Sequence, residues 1–366
     1  MRAALVYDEA LTAYNLGASH PLKPERLRLT RALIQATCPP NGACRELPPR
    51  LATEDDLLPV HSADYLAEVR RLSVSPRSAP RPGYGFEVAD NPPFAGMWEA
   101  SLRYTGASLA AAELVLSGQA QVAFSIAGGL HHAMRSRASG FCIFNDCAVA
   151  IYRLLREVDR VAYVDVDAHH GDGVQAAFYS DPRVLTISIH ESGRYLFPGT
   201  GFPEEVGEGA GVGFSVNVPL PPATGDDAYQ LVFDGVIVPL LKAFRPDVIV
   251  TQLGADSHLS DPLAHLCVTT HTYEHVLASF ASFGLPWVAL GGGGYNLQAV
   301  PRVWALAWAA MCGCDVPDAM PRSQLAHYGT EAIRDPVRTA SEAKVTEAVA
   351  AVIDRVKELV FPTHGL

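Results

Sequence analysis

Positive charge is the property this chain has least of. Its 28 Lys and Arg stand against 39 Asp and Glu, a formal charge of -11. Neutralising phosphate needs clustered basic side chains, so the balance argues against a nucleic-acid binder. The same deficit permits a basic partner, such as a lysine-rich tail or a polyamine. Long hydrophobic runs are missing too. The longest, Val303 to Cys312, is about half of a bilayer span and reads as a core helix. The apolar start of the chain meets Asp8 and Glu9 too soon for a signal peptide. No two cysteines have CxxC spacing. The seven, Cys38, Cys44, Cys142, Cys147, Cys267, Cys312 and Cys314, are odd in number, fit a reducing compartment and form no zinc ribbon. The expectation is a cytoplasmic protein with neither a membrane nor a nucleic-acid partner.

What the chain does hold is apolar residues, 49% of 366, enough to bury a substantial core. Short apolar runs at Arg2 to Asp8, Val122 to Ile126, Val161 to Val166, Val184 to Ile189, Val248 to Leu253 and Trp287 to Leu290 read as strands. Helical patterns start at Glu25 and cover Ala95 to Ser117, Asp226 to Ala243, His271 to Phe283 and Ala340 to Leu359. Leu47 to Pro49 and Ser73 to Pro93 are rich in Pro, Gly, Arg and Ser and read as excursions from the core. Alternation of strand and helix implies an α/β fold: one domain over residues 1–366, its mostly parallel central sheet flanked by helices on both faces. In such sheets the ligand site lies beyond the carboxyl ends of the strands.

The unusual residues fall at those ends. Val161 to Val166 runs into Asp167-Ala168-His169-His170-Gly171-Asp172-Gly173. Side chains alternate along a strand, so Asp165, Asp167 and His169 are expected to point one way, a hand suited to a divalent metal. Asp172 alone could cap the next helix, but capping does not account for the other carboxylates and imidazoles. Gly128-Gly129-Leu130-His131-His132 follows a second strand, Gly254-Ala255-Asp256 a third, and Gly291 to Gly294 with Tyr295 and Asn296 a fourth.

A catalytic zinc usually has three protein ligands and one open position, and Asp167, His169 and Asp256 are the candidates. Two anionic ligands weaken the ion's Lewis acidity, so neighbours must help. His131 and His132 can act as base and acid, with Asp165 and Asp172 to hold and tune them. Tyr295, on a glycine loop, can donate to a carbonyl oxygen as charge develops. The set describes metal-assisted amide hydrolysis. The other readings are weaker. The histidine pair could be a simple loop, the glycine run lacks the GxGxxG spacing of a phosphate cradle, and Cys312-Gly313-Cys314 reads as structural rather than redox-active.

These residues resemble the zinc-dependent histone deacetylases, and within them the bacterial acetoin-utilisation type. The likeness runs through His20-Pro21 with Pro24-Glu25-Arg26, then Gly128 to His132 and Gly140-Phe141-Cys142-Ile143-Phe144-Asn145-Asp146. It continues through Asp165 to Gly173, Phe197-Pro198-Gly199-Thr200-Gly201, Gly254 to Asp256 and Gly291 to Asn296. The resemblance implies zinc on Asp167, His169 and Asp256, with Fe2+ or Co2+ as alternative occupants. It implies His132 as general base and acid, His131 as its electrostatic partner, Asp165 and Asp172 as their orienting carboxylates, and Tyr295 as the group polarising the acetyl carbonyl. Phe141 and Phe197 match the walls of a tube for the acetyl-lysine stem, lined also by Gly140, Gly293 and Leu263. Asp90 matches an acidic rim residue, and Arg26 an arginine near an internal acetate channel. The resemblance also implies monovalent cation sites, usually K+. One is at Asp165, Asp167, His169, Ser188 and Ile189; a second is at Phe178, Asp181, Val184 and Phe214.

Arginase-like enzymes share the fold but use two manganese ions. Their further aspartate falls here on Gly171, and their later Asp-x-Asp is missing because Ser257 and His258 follow Asp256; one metal is favoured. The expectation is a zinc hydrolase that removes acetyl groups from lysine ε-amines in proteins or peptides, with acetyl-CoA synthetase a target in some relatives. Two alternatives stand beside it. One is an amidohydrolase of acetylpolyamines or other small acetylated amines, whose relatives carry an entrance-narrowing insertion to which Ser73 to Pro93 is the nearest candidate. The other is a non-catalytic acyl-lysine-binding protein.

Overall fold

Eight short segments form a single sheet in the computed structural model, which describes residues 2–366. They are β1 (Ala3–Val6), β2 (Cys44–Leu47), β3 (Val122–Ser125), β4 (Val161–Asp165), β5 (Val184–Glu191), β6 (Ser215–Leu220), β7 (Val248–Gln252) and β8 (Trp287–Leu290). Their order is β2-β1-β3-β8-β7-β4-β5-β6, and every neighbouring pair is parallel. The six central strands are buried along their whole length, as expected where helices cover both faces of a parallel sheet.

β2 and β6 were not among the strands expected from sequence, and both are edges. Cys-Arg-Glu-Leu in β2 is half exposed, and β6 contains Pro219, which lacks the N–H a central strand needs but is tolerated at an edge. β2 is only partly covered and so has no apolar run, whereas β6 is buried along its length but its apolar residues are interrupted by Asn217 and Pro219.

The covering helices are α1 (Glu25–Thr37), α2 (Glu54–Leu57), α3 (Ala63–Val74), α4 (Met97–Leu116), α5 (Asp146–Leu154), α6 (Asp172–Phe178), α7 (Asp226–Val232), α8 (Val238–Phe244), α9 (Thr270–Ser282), α10 (Ala299–Cys312), α11 (Leu325–Tyr328) and α12 (Ala343–Val360). A five-residue π-helical stretch, Phe233–Ile237, joins α7 to α8, so the expected helix from Asp226 is continuous but not uniform. Four of them, α2, α3, α5 and α9, start at a side chain that satisfies a free N–H group. Ser62 accepts from the Tyr65 N–H, Asn145 from Ala148 and Thr269 from His271. Gly313 ends α10 at φ 66°, the left-handed conformation that favours glycine. The described part of the chain has no helix long and apolar enough to cross a membrane.

One cysteine pair departs from the free-thiol expectation. Cys38 and Cys314 form a disulfide between the ends of α1 and α10. Their separation of 276 residues leaves no local spacing to read.

The carboxyl-terminal segment is pinned to the sheet layer by one buried carboxylate. Asp226 accepts from the Thr269 N–H at 2.8 Å, the Thr269 hydroxyl at 2.8 Å, the Thr272 hydroxyl at 2.5 Å and the Thr339 N–H at 2.8 Å. Removing it orphans several buried donors at once. Asp226→Ala is therefore expected to lower unfolding free energy by about 3 kcal/mol in denaturant titration, whereas Asp227→Ala, on the exposed side of the same turn, should cost far less.

Candidate active site

Four neighbouring strands end at one level. Ser125 of β3 pairs with Leu290 of β8, Leu290 with Gln252 of β7, and Gln252 with Asp165 of β4. The loops leaving these ends carry the histidine pair, the Tyr295 loop, Asp256 and the Asp167 to Asp172 segment. Register alone thus brings four sequence-distant motifs to one place.

Asp167, His169 and Asp256 form the one group among the described residues whose ligand atoms could hold a metal ion, all within 4.8 Å of one another. His169 Nδ1 lies 3.0 Å from Asp167 Oδ1 and 3.0 Å from Asp256 Oδ2. The far sides of both carboxylates are already used. Asp167 Oδ2 accepts from the Gln252 side-chain amide at 2.7 Å and the Gly293 N–H at 2.8 Å, and Asp256 Oδ1 accepts from the Ala168 N–H at 2.7 Å. These bonds turn the remaining oxygens inward and fix the carboxylates. Burial, followed by the charge of Asp167, pushes the Asp256 carboxyl well above its usual range. Two carboxylates buried this close repel each other, the His169 imidazole between them is held toward its charged form in answer despite its own burial, and a divalent ion suits the same excess of negative charge.

Asp165 does not join this hand. Its Oδ2 lies 2.7 Å from His131 Nδ1 and also accepts the Tyr163 hydroxyl at 2.6 Å. The strand ends at Asp165, so strand alternation does not extend through Asp167 and His169. His132 Nδ1 lies 2.7 Å from Asp172 Oδ1, and the two imidazoles meet with Nε2 atoms 2.9 Å apart. That contact requires a single shared proton. Burial opposes charge on His131, but Asp165 and Asp167 outweigh it and raise its pKa to about 9. Burial, then the charge of His131, lowers His132 to about 4.

The cleft above these groups is narrow and lined by Leu22, Leu130, Phe141, Gly293 and Tyr295 among others. Phe141 stands edge to face with Tyr295 at 5.7 Å, and Phe197 with His132 at 5.1 Å. Gly140 and Gly293 have no room for a side chain. A Cβ on Gly140 would strike the rings of His132 and Phe197, and one on Gly293 the carboxylates of Asp167 and Asp256. Burial, then the charges of Asp256 and Asp167, pushes the Tyr295 phenol up and keeps it protonated. Leu263 and Asp90 lie outside the cleft lining. Leu263 is tied to the site through Asp261, and exposed Asp90 through its carbonyl, 3.2 Å from His20 Nε2. Arg26, buried, donates to the carbonyls of Gly292 at 2.6 Å and Gly294 at 3.3 Å. It lines an adjoining internal cavity with Tyr14 and Tyr104, and Leu22 and Leu130 border both spaces.

Some of the residues named for the cation positions lie next to one another. Ser188 pairs with Asp165 across β4 and β5, and Ile189 follows it in β5. Phe178, Asp181, Val184 and Phe214 meet where α6 turns into β5. There the Phe178, Asp181 and Phe214 carbonyls each accept a backbone hydrogen bond.

Several supporting residues were not singled out from sequence. Gln252 braces Asp167. Asp146 accepts from Gly129 and Leu130 N–H groups, and Asn145 donates to the His131 carbonyl, so together they shape the histidine loop. Asp261 accepts from the N–H groups of both Tyr295 and Leu263 at 2.8 and 2.9 Å. Asn145 and Asp146 sit in a quoted motif; Gln252 and Asp261 have no signal in one sequence beyond a polar residue beside a ligand motif.

Comparison with known proteins places the chain in a family. The family described as Histone deacetylase domain matches residues 20–311. The Acetoin utilization protein AcuC of Bacillus subtilis (strain 168) is 43% identical over 328 residues, 87% of this chain and 84% of that protein. Histone deacetylase clr6 of Schizosaccharomyces pombe is 36% identical over 333 residues, 90% of this chain and 82% of that protein. A solved structure titled as an HDAC homolog complexed with SAHA superposes with a TM-score of 0.89 at 32% identity, covering 98% of this chain and all of that one. With a family match over residues 20–311 and relatives of this identity and extent, the chain belongs to the histone deacetylase family.

Proposed function

We propose that the protein is a zinc-dependent deacetylase that hydrolyses the acetyl amide of ε-N-acetyl-lysine in proteins or peptides and releases acetate. The observation that carries this reading is the placement of the Asp167, His169 and Asp256 group beside a narrow cleft lined by Leu22, Leu130 and Phe141, together with two carboxylate-held imidazoles and one phenol. Such a cleft suits an uncharged acyl-amide on an apolar four-carbon stem, which passes between Phe141 and Phe197 and the backbone at Gly140 and Gly293. Leu263 and Asp90 belong to the rim, where Asp90 would meet substrate backbone N–H groups. A divalent zinc held by Asp167, His169 and Asp256 would supply Lewis acidity toward the carbonyl and the attacking water; Fe2+ or Co2+ suits the same donors.

His132 is neutral at pH 7, with Nδ1–H donated to Asp172; its Nε2 lone pair accepts the His131 Nε2–H, 2.9 Å away, in the resting site and has to exchange that contact for the attacking water. Nε2 takes the proton of the attacking water and passes it to the departing amine. His131, held by Asp165, keeps its positive charge beside it. The Tyr295 hydroxyl donates to the carbonyl oxygen as that oxygen becomes negative. Acetate then has a route past Arg26 into the adjoining cavity. A monovalent cation, K+ by resemblance, is assigned to Asp165, Asp167, His169, Ser188 and Ile189, with a second at Phe178, Asp181, Val184 and Phe214; the support is their adjacency alone. A lysine on acetyl-CoA synthetase is one protein substrate consistent with the acetoin-utilisation likeness.

Metal-stripped protein should take up one tight equivalent of zinc by elemental analysis, and zinc at 100 times its Kd should add about 2.7 kcal/mol of stability. Asp256→Asn should abolish both effects. Tyr295→Phe should cut kcat on an acetyl-lysine peptide about 100-fold with zinc content unchanged; near-normal turnover would remove the phenol from the mechanism. Acetylated putrescine run beside the peptide decides between lysine and a small amine as substrate, and zinc uptake with no turnover on either would favour a binding protein. Asp165→Asn takes away the carboxylate that holds the proton on His131. The alkaline limb of kcat/KM, where His131 loses that proton, should therefore move to lower pH, and a limb that stays in place would separate Asp165 from this role.

A further inference from the structure

Four of the seven cysteines converge at a corner that the reaction does not use. Cys38 caps the end of α1, Cys44 opens β2, and Cys312 and Cys314 flank the left-handed Gly313 at the end of α10. The same two chain segments therefore face each other through two sulfur pairs. Cys38 and Cys314 are bonded, with Cα atoms 6.3 Å apart. The thiols of Cys44 and Cys312 are free and in contact. Residue exposure divides the corner: Cys314 is open to solvent, Cys44 half-buried, and Cys38 and Cys312 buried. Arg2 is the basic group at this corner, its guanidinium packed where a side chain on Gly313 would stand.

The geometry points to a thiol–disulfide exchange site, in which a dithiol reductant opens Cys38–Cys314 through the exposed Cys314 and unclips the end of α1 from the end of α10. The attacking thiolate bonds to Cys314 Sγ, and Cys38 Sγ leaves as thiolate and takes a proton. The second thiol of the reductant then displaces Cys314 Sγ. The dithiol is oxidised by two electrons to its own disulfide, and two protein thiols result. Burial and contact with Cys44 push the Cys312 thiol up, so it stays protonated and does not compete as nucleophile. That leaves Cys44 and Cys312 unbridged beside a bridged pair.

The clip joins two helices that also meet nearer the active site. The Trp308 indole donates to the Cys38 carbonyl at 2.9 Å, and the Arg26 guanidinium lies 5.1 Å from the Trp304 ring centre. Opening the bond frees a closed loop of most of the chain, which lowers stability through the unfolded state.

The test needs no turnover, so it fails or succeeds independently of the deacetylase reading. The full-length protein is purified without reductant, alkylated under denaturing conditions and mapped by peptide mass spectrometry. Cys38 and Cys314 should appear as one linked pair, with Cys44, Cys142, Cys147, Cys267 and Cys312 alkylated. Brief treatment of the folded protein with dithiothreitol should make Cys38 and Cys314 alkylatable and lower Tm by roughly 5 °C, and oxidised dithiothreitol should restore both. A Cys314→Ser variant, where it folds, should have lost the redox response of Tm. Recovery of Cys38 and Cys314 as free thiols even after oxidant, or a bond that yields to reductant only on unfolding, would overturn the proposal. So would a bound zinc equivalent that is lost in Cys44→Ser and holds all four thiolates.

Discussion

Two carboxylates buried within hydrogen-bond reach of one imidazole are the constraint on which the rest of this structure depends. Asp167 and Asp256 are withdrawn from water at the floor of a cleft, where an unpaired charge is costly. Everything around them supports that burial. The Gln252 amide, the Gly293 N–H and the Ala168 N–H each point at a carboxylate oxygen, and each comes from a strand end or the loop after it. The sheet register is thus also a registration of donors. Shift β7 by one residue against β4, and Gln252 loses Asp167 while Asp256 leaves His169.

The charge pattern then spreads outward in alternating sign. Negative Asp167 and Asp165 favour a proton on His131, positive His131 disfavours one on His132, and Asp172 sets which nitrogen of His132 carries its hydrogen. A base of low pKa beside an acid of high pKa, their Nε2 atoms 2.9 Å apart, is the arrangement that lets two identical side chains take different roles. The difference arises from the partners and not from the imidazoles.

Much of this was legible in the sequence because ligand chemistry is local. Asp167 and His169 are two residues apart, His131 and His132 adjacent, and the apolar runs before them marked buried strands. Asp256 and Tyr295 were found by the same strand-end rule. What could not be read there depends on distant pairing. The edge strand β2 lacks an apolar run because it is partly exposed, and β6, though buried, has its apolar residues broken up by Asn217 and Pro219. Asp261 looks like a loop aspartate until the fold brings it under Tyr295, and Gln252 looks like a strand polar residue until register sets it beside Asp165. Asp165 was expected with the metal group by strand alternation, but the strand stops there, and its carboxylate is taken by His131 and Tyr163. The Cys38–Cys314 bond is the extreme case, since its partners are 276 residues apart.

The glycine loop before α10 shows why the site and the scaffold cannot be separated. Gly292 and Gly294 both take φ above 100°, conformations open to glycine and closed to most side chains. Such backbone is free to move unless something holds it. Here Arg26 grips the carbonyls of both residues from below, Asp261 holds the Tyr295 N–H from the side, and the Gly293 N–H is spent on Asp167. The first of these grips comes from α1, the second from the turn after Asp256, and the third from a metal-site carboxylate. Under the proposed reaction the Tyr295 phenol has to meet a carbonyl oxygen within a few tenths of an ångström, and three independent tethers place it. Its position depends as much on how α1 packs against α10 as on the residues that touch substrate.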